Sequence, residues 1–417
     1  MKRSSFGSRV SGIAPLGLAA VAALAGCEGM IVSPLDGGAL DARALDGSPL
    51  GVFDAVSLDT SEPLDAVLAP DAPVAPSGVA PRPGLEGEID ASEGDVAVRV
   101  TPSAPALVRI EAMPDEHVTF FLTFEEGLRT IELEVLRWDG REAVSLGVTD
   151  AGPGLRTLAA FDASGPRTFW ARVTTELPSL DATLTITRVP FEDAPMCLED
   201  CARLLQLPLP NDARVDGYTT RSSTVFRYQY GRRDLVMYVR HAAQRVAALG
   251  MAPLVAEDFS QWNGETPGND VGAPRHASHQ RGKDVDISLH GLDGRNEWRT
   301  YCEPERTADG RECVPGTITN YDGTANATWF GDIFASGRVT MCFLDRELIP
   351  ATVTGAEEAS LVGELDEALV PLFDDGVHLQ HWPNHDNHIH VRVSESDSIG
   401  ALSWTGALGE EERFEAP

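Results

Sequence analysis

Between residues 86 and 192, apolar and polar side chains alternate in short runs, and this alternation limits what the segment can fold into. Val96, Val98 and Val100 alternate with polar residues, and turn sequences such as Asp-Gly at 139–140 separate such runs. Successive side chains of a strand point to opposite faces, so this period predicts strands with one buried face. About eight such runs in one segment predict an antiparallel β-sandwich.

The same segment carries little visible chemistry. It contains no cysteine and one histidine, His117. We therefore expect an accessory domain, and its residues do not distinguish a binding role from a spacing role.

The residues before the sandwich have a different composition. Ala, Asp, Pro, Gly and Leu dominate residues 27–85, and aromatic residues are nearly absent. Such a composition cannot bury enough apolar surface to offset the entropy of an unfolded chain. We expect a disordered tether here and an acidic C-terminal tail over residues 396–417.

The first 26 residues have the pattern of an export signal. Lys2 and Arg3 precede an apolar run over residues 13–25, which is too short for a comfortable transmembrane helix. The stretch from Leu24 to Cys27 resembles a bacterial lipobox, which implies that residues 1–26 are removed and that Cys27 is lipidated. An ordinary signal peptide is the alternative.

The strongly negative net charge limits which partners are expected, and the residue after Cys27 bears on the compartment. The chain has 64 acidic and 33 basic residues and a formal net charge of -31. This charge disfavours nucleic acid and anionic lipid headgroups as partners, so membrane contact is expected through the lipid anchor only. Glu28 differs from the aspartate that resembles an inner-membrane retention signal. We therefore expect an exported lipoprotein on the periplasmic face of the outer membrane.

Export implies an oxidising compartment, in which cysteines tend to pair. Five cysteines follow Cys27, so at least one has no partner within the chain. A bridge that closes the short polar loop between Cys302 and Cys313 is favoured. Cys197 and Cys201, if one helical turn apart, would each reach a distant partner more easily than each other. The connectivity stays open for the whole set of Cys197, Cys201, Cys302, Cys313 and Cys342.

A second domain is predicted over residues 195–395. Its clearest helix begins near Asp234, carries one apolar stripe and ends at Gly250. An apolar strand follows at 252–256, and a further helix is expected around 361–373. The mixture predicts an α+β domain, so the whole chain is expected to be multidomain, with an all-β sandwich first.

Eight of the ten histidines lie between His276 and His390, and five of them form two clusters. The first cluster reads HASHQRGKDVDI and the second reads HDNHIH. In an extended strand, His388 and His390 project to one face, about 7 Å apart along the backbone.

Around Asp286 the first cluster also has a strand pattern. Asp284 and Asp286 share one face of this strand, and Gly282 provides a bend after His279. Two strands that bring imidazoles and a carboxylate to one point predict a three-ligand metal site with an open position, as in zinc hydrolases. Structural zinc sites lean on cysteine, and no cysteine lies beside these clusters.

The two motifs, about 100 residues apart, resemble the penicillin-insensitive murein endopeptidase family. The segment YGRRDLVMYVRHAAQRVAALGM resembles the helix that precedes the family's first motif, and the similarity covers residues 203–395. The resemblance implies an α+β zinc metallopeptidase domain that hydrolyses D-alanyl–diamino-acid cross-links between peptidoglycan stem peptides. The segment 291–344 has no counterpart in the family.

Carried over to this chain, the resemblance implies roles for seven residues. One catalytic Zn²⁺ would be bound by His279, Asp286 and His390, and His388 would act as general base. The remaining three residues would have auxiliary or substrate-orienting roles: His276, His385 and Asp284. A second, weaker ion would lie near His276.

Two other functions remain open. A D,D-carboxypeptidase would use the same metal site and would need a basic residue for a free carboxylate, for which Arg275, Arg281 and Arg392 are candidates. A catalytically inactive peptidoglycan-binding lipoprotein is the third reading. His290 falls on the same strand face as Asp286, so a position lining the cleft is an alternative for it but not the favoured one. His378 and His381 are expected to be structural, and His241 is expected to pack within its helix or lie on its surface.

Overall fold

In the computed structural model the described residues are 87–125, 130–149, 154–191, 197, 199–302, 307 and 310–394. The predicted signal peptide, the lipidation site Cys27, the tether and the acidic tail lie outside these residues. The described part of the chain consists mostly of β-strands, with few helices.

Nine strands form the first half of the described chain. One sheet has the order β1-β3-β8-β5-β6 and the other has the order β2-β9-β4-β7, with β1 parallel to β3 and the other pairs antiparallel. Their bounds are β1 Glu88–Asp90, β2 Gly94–Val100, β3 Ala106–Ala112, β4 Glu116–Thr123, β5 Ile131–Trp138, β6 Ala143–Val148, β7 Leu155–Ala160, β8 Arg167–Thr175 and β9 Leu180–Pro190.

The alternation in the sequence explains how these two sheets pack. Val98 and Val100 are buried between the sheets, whereas Arg99 points outward and pairs with Asp181 on the neighbouring strand. Inward residues from both sheets form one buried apolar cluster. Sandwich-type β structure is therefore present where the period-two pattern predicted it.

A seven-stranded sheet lies at the centre of the second half. Its strand order is β11-β13-β14-β18-β16-β17, and β15 pairs with β14 outside this path. A separate two-stranded sheet pairs β10 with β12. The strands are β10 Leu204–Gln206, β11 Tyr218–Thr219, β12 Tyr230–Arg232, β13 Leu254–Glu257, β14 Asp284–His290, β15 Asn296–Glu297, β16 Val339–Leu344, β17 Leu379–His381 and β18 His388–Val393.

Four α-helices accompany this sheet: α1 Ala213–Asp216, α2 Arg233–Ala248, α3 Gly323–Phe334 and α4 Leu348–Leu361. The apolar stripe predicted from Asp234 onward forms α2, whose buried residues join those of α3 and one face of the sheet in a single cluster. The helix predicted around 361–373 is wrong in its bounds. The α-helix ends at Leu361, and a separate 3₁₀ helix runs from Glu367 to Phe373, because Gly363 between them has a left-handed φ of 79°.

The sandwich and the second half share their buried clusters. Phe161 and Phe191 from the sandwich segment belong to the cluster around α2, and Leu209 belongs to the sandwich cluster. Thr157 of β7 also bonds the hydroxyl of Tyr230 at 2.7 Å. Packing and buried hydrogen bonds therefore both cross the junction between the two halves.

Two disulfides are present among the described residues. Cys302 and Cys313 are bonded, as expected, with their Cα atoms 5.2 Å apart. Cys197 and Cys201 are bonded to each other, so the expectation of distant partners is wrong. These two lie outside any helix, and the left-handed φ of 47° at Asp200 turns the backbone so that the cysteine Cα atoms are 5.8 Å apart.

The remaining described cysteine, Cys342, is free and buried. Two disulfides fit a protein of the periplasm or the cell exterior. Within the described ranges, the helices are all too short or too polar to cross a bilayer.

Asp332 of α3 is expected to make stability depend on pH. Its Oδ2 has no hydrogen-bond partner among the described residues. Burial raises its pKa to about 7, which Arg245 only partly offsets. Since the unfolded pKa is about 3.9, the ionised carboxylate lowers the free energy of unfolding progressively as the pH rises from about 4 to about 7.

We therefore expect Asp332→Asn to raise the free energy of unfolding by about 4 kcal/mol at about pH 8, and to change it little near pH 4. Urea unfolding at both pH values measures this. An equal gain at both pH values would contradict the assignment to the charge.

Candidate metal centre

Strand pairing brings the two predicted motifs together. Strands β14 and β18 are antiparallel, and their register places Asp286 directly opposite His390 and Ser288 opposite His388. Ile287 and Ile389 point to the other face of the sheet, where they are fully buried. The alternation in both motifs thus directs the polar side chains of neighbouring strands to one face of the sheet.

His279 reaches this face from a tight loop before β14. Its φ is 60° and that of Arg281 is 59°, both in the left-handed region that non-glycine residues rarely adopt. Gly282 follows with φ 68°, and a Cβ there would lie 2.4 Å from Leu204 and 2.6 Å from the backbone nitrogen of Arg232. The loop therefore requires glycine, as the predicted bend did, and strained backbone of this kind clusters at functional sites.

Three donor atoms meet at one point on the sheet face. His390 Nδ1 lies 3.0 Å from Asp286 Oδ1 and 3.1 Å from His279 Nε2. The third side of the triangle, from His279 Nε2 to Asp286 Oδ1, measures 3.3 Å. All three residues are buried, with at most 3% of their surface exposed. The structure thus brings the three predicted ligands together.

Hydrogen bonds on the far side of each imidazole fix its orientation. His279 Nδ1 donates to the carbonyl oxygen of Phe259 at 3.0 Å, and His390 Nε2 donates to Asp284 Oδ1 at 3.0 Å. A neutral imidazole protonated at those nitrogens presents a lone pair at the other nitrogen. Two lone pairs and a carboxylate oxygen therefore face one another, which is favourable only with a cation or proton between them.

The close approach of these imidazoles and carboxylates also shifts their pKa values. Burial lowers the pKa of His390, but hydrogen bonds to Asp284 and Asp286 outweigh it and raise the pKa to about 9. Burial raises the pKa of Asp286, yet the neighbouring imidazoles of His279 and His388 hold it well below its ordinary value. The centre therefore favours positive charge, and its donor set of two imidazoles and a carboxylate fits a divalent metal ion.

His388 lies beside this triangle without belonging to it. Its Nε2 is 3.8 Å from Asp286 Oδ1, and its Nδ1 donates to Asn387 Oδ1 at 2.5 Å. The indole of Trp298 stacks on its ring, with centroids 4.8 Å apart and planes at 6°. Burial lowers the pKa of His388 to about 4, so the imidazole is neutral at pH 7 and Nε2 can accept a proton.

His276 also lies beside the triangle. Its Nδ1 is 3.9 Å from Asp286 Oδ2, and its Nε2 lies 2.9 Å from Asp258 Oδ2. Suitable donor atoms of His276, His279 and Asp286 lie within 4.8 Å of one another, so this group also could hold a metal ion.

His385 lies over His388, with ring centroids 4.7 Å apart. Its Nδ1 is 2.9 Å from the carbonyl oxygen of Pro383. Because a carbonyl only accepts, Nδ1 carries the proton, and Nε2 of the neutral ring is an acceptor. Burial lowers the pKa of His385 to about 3, so this neutral form persists at pH 7.

The other histidines have structural partners. His290 bonds the carbonyl oxygen of Ala252 at 2.8 Å and the amide of Asn296 at 3.2 Å, so both ring nitrogens are used. His378 pairs with Asp375 and His381 lies near Glu312. His241 lies on α2.

A second group with metal-ligand chemistry, formed by Cys302, Cys313 and Asp386, has its two sulfur atoms in a disulfide. The cysteines of that group are therefore not available as thiolate ligands.

Several residues of the centre were missed from sequence. Asp258 follows a short strand without a histidine motif around it, and its left-handed φ of 39° is visible only in the fold. Trp298 lies in the segment for which no counterpart was found. Asn387 was within the HDNHIH motif, and its position before His388 was the one available signal.

Comparison with known proteins does not assign this chain to a family. No family model and no curated protein matches this chain. Solved structures resemble parts of it at low identity. One is the pre-peptidase C-terminal domain of a collagenase from Bacillus anthracis, with 9% identity over 26% of this chain and 100% of that chain and a TM-score of 0.20. Two others are the periplasmic g-type lysozyme inhibitor PliG of Aeromonas hydrophila (14% identity) and the surface-associated copper-binding protein CorA of Methylomicrobium album BG8 (8% identity), each covering 24% of this chain and 96% of its own, with a TM-score of 0.19. TM-scores this low carry no argument about function.

Replacing Asp284 tests the support of the metal ligands. Its carboxylate accepts from His390 Nε2 and from the backbone nitrogen of His279, both at 3.0 Å. We expect Asp284→Asn to weaken metal affinity by about 10- to 100-fold, because the carboxylate that orients the His390 imidazole and holds the backbone of His279 is replaced by a neutral amide. Competition with a chromophoric chelator measures the affinity. Unchanged affinity would show that Asp284 serves only Arg392, which contacts it at 2.5 Å.

Proposed function

We propose that this protein is a zinc-dependent peptidoglycan endopeptidase that hydrolyses D-alanyl–diamino-acid cross-links between stem peptides. The observation that carries the proposal is the triangle of His279 Nε2, Asp286 Oδ1 and His390 Nδ1, with sides of 3.0 to 3.3 Å. Ligands about 2.0–2.1 Å from a tetrahedral zinc ion are separated by about 3.3 Å, so the donors match that ion closely. The resemblance of both motifs to murein endopeptidases supplies the substrate class.

In this mechanism His279, Asp286 and His390 would hold the ion. Zinc in such a site lowers the pKa of a water molecule to near 7 and polarises a carbonyl oxygen. His388 takes the proton at Nε2, because Nδ1 is already committed to Asn387. The same nitrogen then delivers the proton to the leaving amine of the diamino acid.

The residues beside His388 and the metal ligands would restrict the motion of the imidazole and contact the substrate. Trp298 covers one face of the His388 ring, and this stacking restricts the motion of the imidazole. His385 offers an acceptor at Nε2, which suits an N–H of the peptide substrate better than an oxyanion. Asp258 holds the His276 ring, and a second, weaker ion beside His276 is part of the proposal.

The decisive experiment is digestion of purified, cross-linked muropeptide dimers by the purified protein. Zinc is quantified beforehand, and a chelated sample runs in parallel. Conversion of dimers to monomers only with metal present is expected. Release of a single terminal D-alanine would assign a D,D-carboxypeptidase instead, and stoichiometric zinc without any cleavage would favour a peptidoglycan-binding lipoprotein.

The compartment belongs to the same proposal. Peptidoglycan lies outside the inner membrane, and the two disulfides agree with such a location. Attachment to the outer membrane through a lipidated Cys27 would keep the enzyme beside its substrate.

A further inference from the structure

We infer that Arg221 forms an anion subsite beside the metal centre and binds a carboxylate of the peptide substrate. The inference rests on the proposed function, because that function supplies a substrate that carries carboxylates next to the scissile bond. Arg221 is not among the arginines that sequence analysis singled out.

Strand register places the support of Arg221 next to the metal ligands. Glu257 of β13 lies directly opposite Asp286 of β14, and Asp286 lies opposite His390 of β18. Directly paired residues of neighbouring strands point to the same face of a sheet. The Glu257 carboxylate therefore lies on the ligand-bearing face, one strand away from Asp286.

Glu257 and Thr224 hold Arg221 at the rim of this face. Arg221 Nη1 donates to Glu257 Oε2 at 3.2 Å, and the backbone nitrogen of Arg221 donates to Thr224 Oγ1 at 3.0 Å. The Thr224 hydroxyl in turn donates to the other oxygen of Glu257 at 3.3 Å. The arginine is thus fixed at its backbone and at one guanidinium nitrogen.

The rest of the guanidinium is available to a ligand. Its side chain is 40% exposed, and within the described ranges Glu257 is its one protein acceptor. By contrast, Arg275 contacts Asp258 and Arg392 contacts Asp284, so those two neutralise carboxylates of the centre itself. A guanidinium carries five N–H donors, so Arg221 keeps enough of them for a bidentate carboxylate.

Trp298 links this subsite to the proposed general base. The guanidinium carbon of Arg221 lies 5.5 Å from the centroid of the Trp298 ring, and that ring stacks on His388. A substrate carboxylate bound to Arg221 would therefore be separated from His388 by the Trp298 ring. A planar cation held over an indole loses little freedom when it binds a planar anion.

Two substrate groups share this chemistry. One is the carboxylate of the diamino acid at the cross-link, and the other is the carboxylate of a terminal D-alanine. The first would make Arg221 a specificity determinant for endopeptidase cleavage, and the second for carboxypeptidase cleavage.

Equilibrium binding separates these two sources and does not depend on turnover. The zinc-loaded full chain is titrated with muropeptide monomers that carry a carboxylate or an amide at the diamino acid, and with monomers that carry either group at the terminal alanine. The variants are Arg221→Met, which keeps the length of the side chain without its charge, and Arg221→Lys, which keeps the charge without the planar fork. Arg141→Met, an exposed arginine in a turn of the sandwich, is the matched control.

Amidation at one of the two positions is expected to weaken binding to the wild type and to the control about tenfold. In Arg221→Met that preference disappears, and in Arg221→Lys it is reduced. Wild-type binding that ignores amidation at both positions would overturn the inference, as would an Arg221→Met variant that keeps the preference. Because monomers are not cleaved at a cross-link, failure of dimers to be cleaved would count against the proposed function alone.

Discussion

Asp286→Asn is expected to lower the affinity for zinc by about a thousandfold, or about 4 kcal/mol, and to remove hydrolytic activity with it. Asp286 supplies the one anionic donor of the triangle, and its Oδ1 lies within 3.3 Å of both ligand imidazoles. Asparagine keeps the shape of the side chain but presents a neutral oxygen. The two remaining ligands are neutral imidazoles, whose lone pairs repel each other. Without the carboxylate, no negative charge at this point attracts the cation.

Thermal unfolding with and without zinc measures this loss without reference to activity. A ligand that binds only the folded state stabilises it by RT ln(1 + [L]/Kd), so the melting temperature rises with the ratio of ligand concentration to Kd. Zinc is expected to raise the melting temperature of the wild type and of Asp181→Asn, an exposed carboxylate of the sandwich. The Asp286→Asn variant should show no rise. An equal rise in all three proteins would remove Asp286 from the ligand set.

The strands that carry the centre follow directly from the sequence, because one face of each is apolar and must be buried. Val285, Ile287 and Leu289 are fully buried, as the alternation predicted, and this fixes the direction of Asp284 and Asp286. The spacing of two histidines in the second motif has the same consequence. The local pattern is sufficient to predict where these side chains point, because the apolar face of a strand must be buried and the polar side chains then lie on the other face.

Long-range contacts and unusual backbone account for what the sequence did not reveal. Trp298 stacks on His388 from a segment about 90 residues earlier, and no periodicity signals such a contact. Asp258 depends on a left-handed backbone that its sequence neighbours do not require. The bond between Cys197 and Cys201 was not predicted either, because the left-handed turn at Asp200 that brings the two cysteines together depends on the backbone rather than on a sequence pattern.

His388→Ala is expected to lower kcat by about 10²- to 10⁴-fold while zinc stays bound. His388 Nε2 is 3.8 Å from Asp286 Oδ1, beyond hydrogen-bond distance, and its Nδ1 is committed to Asn387. The three ligand atoms therefore keep their positions when the ring is removed. KM is expected to change much less than kcat, because the imidazole acts in proton transfer during the chemical step and does not bind the peptide.

Zinc content and steady-state kinetics on muropeptide dimers together decide between a proton acceptor and a ligand. His378→Ala is the matched control, because His378 pairs with Asp375. We expect both variants to bind zinc stoichiometrically and only His388→Ala to be slow. A loss of zinc from His388→Ala would instead make His388 a ligand, and its imidazole would then not be available as the proton acceptor that the mechanism needs. Full activity with zinc bound would mean that another group takes the proton, and the neutral Nε2 of His385 is a candidate for it.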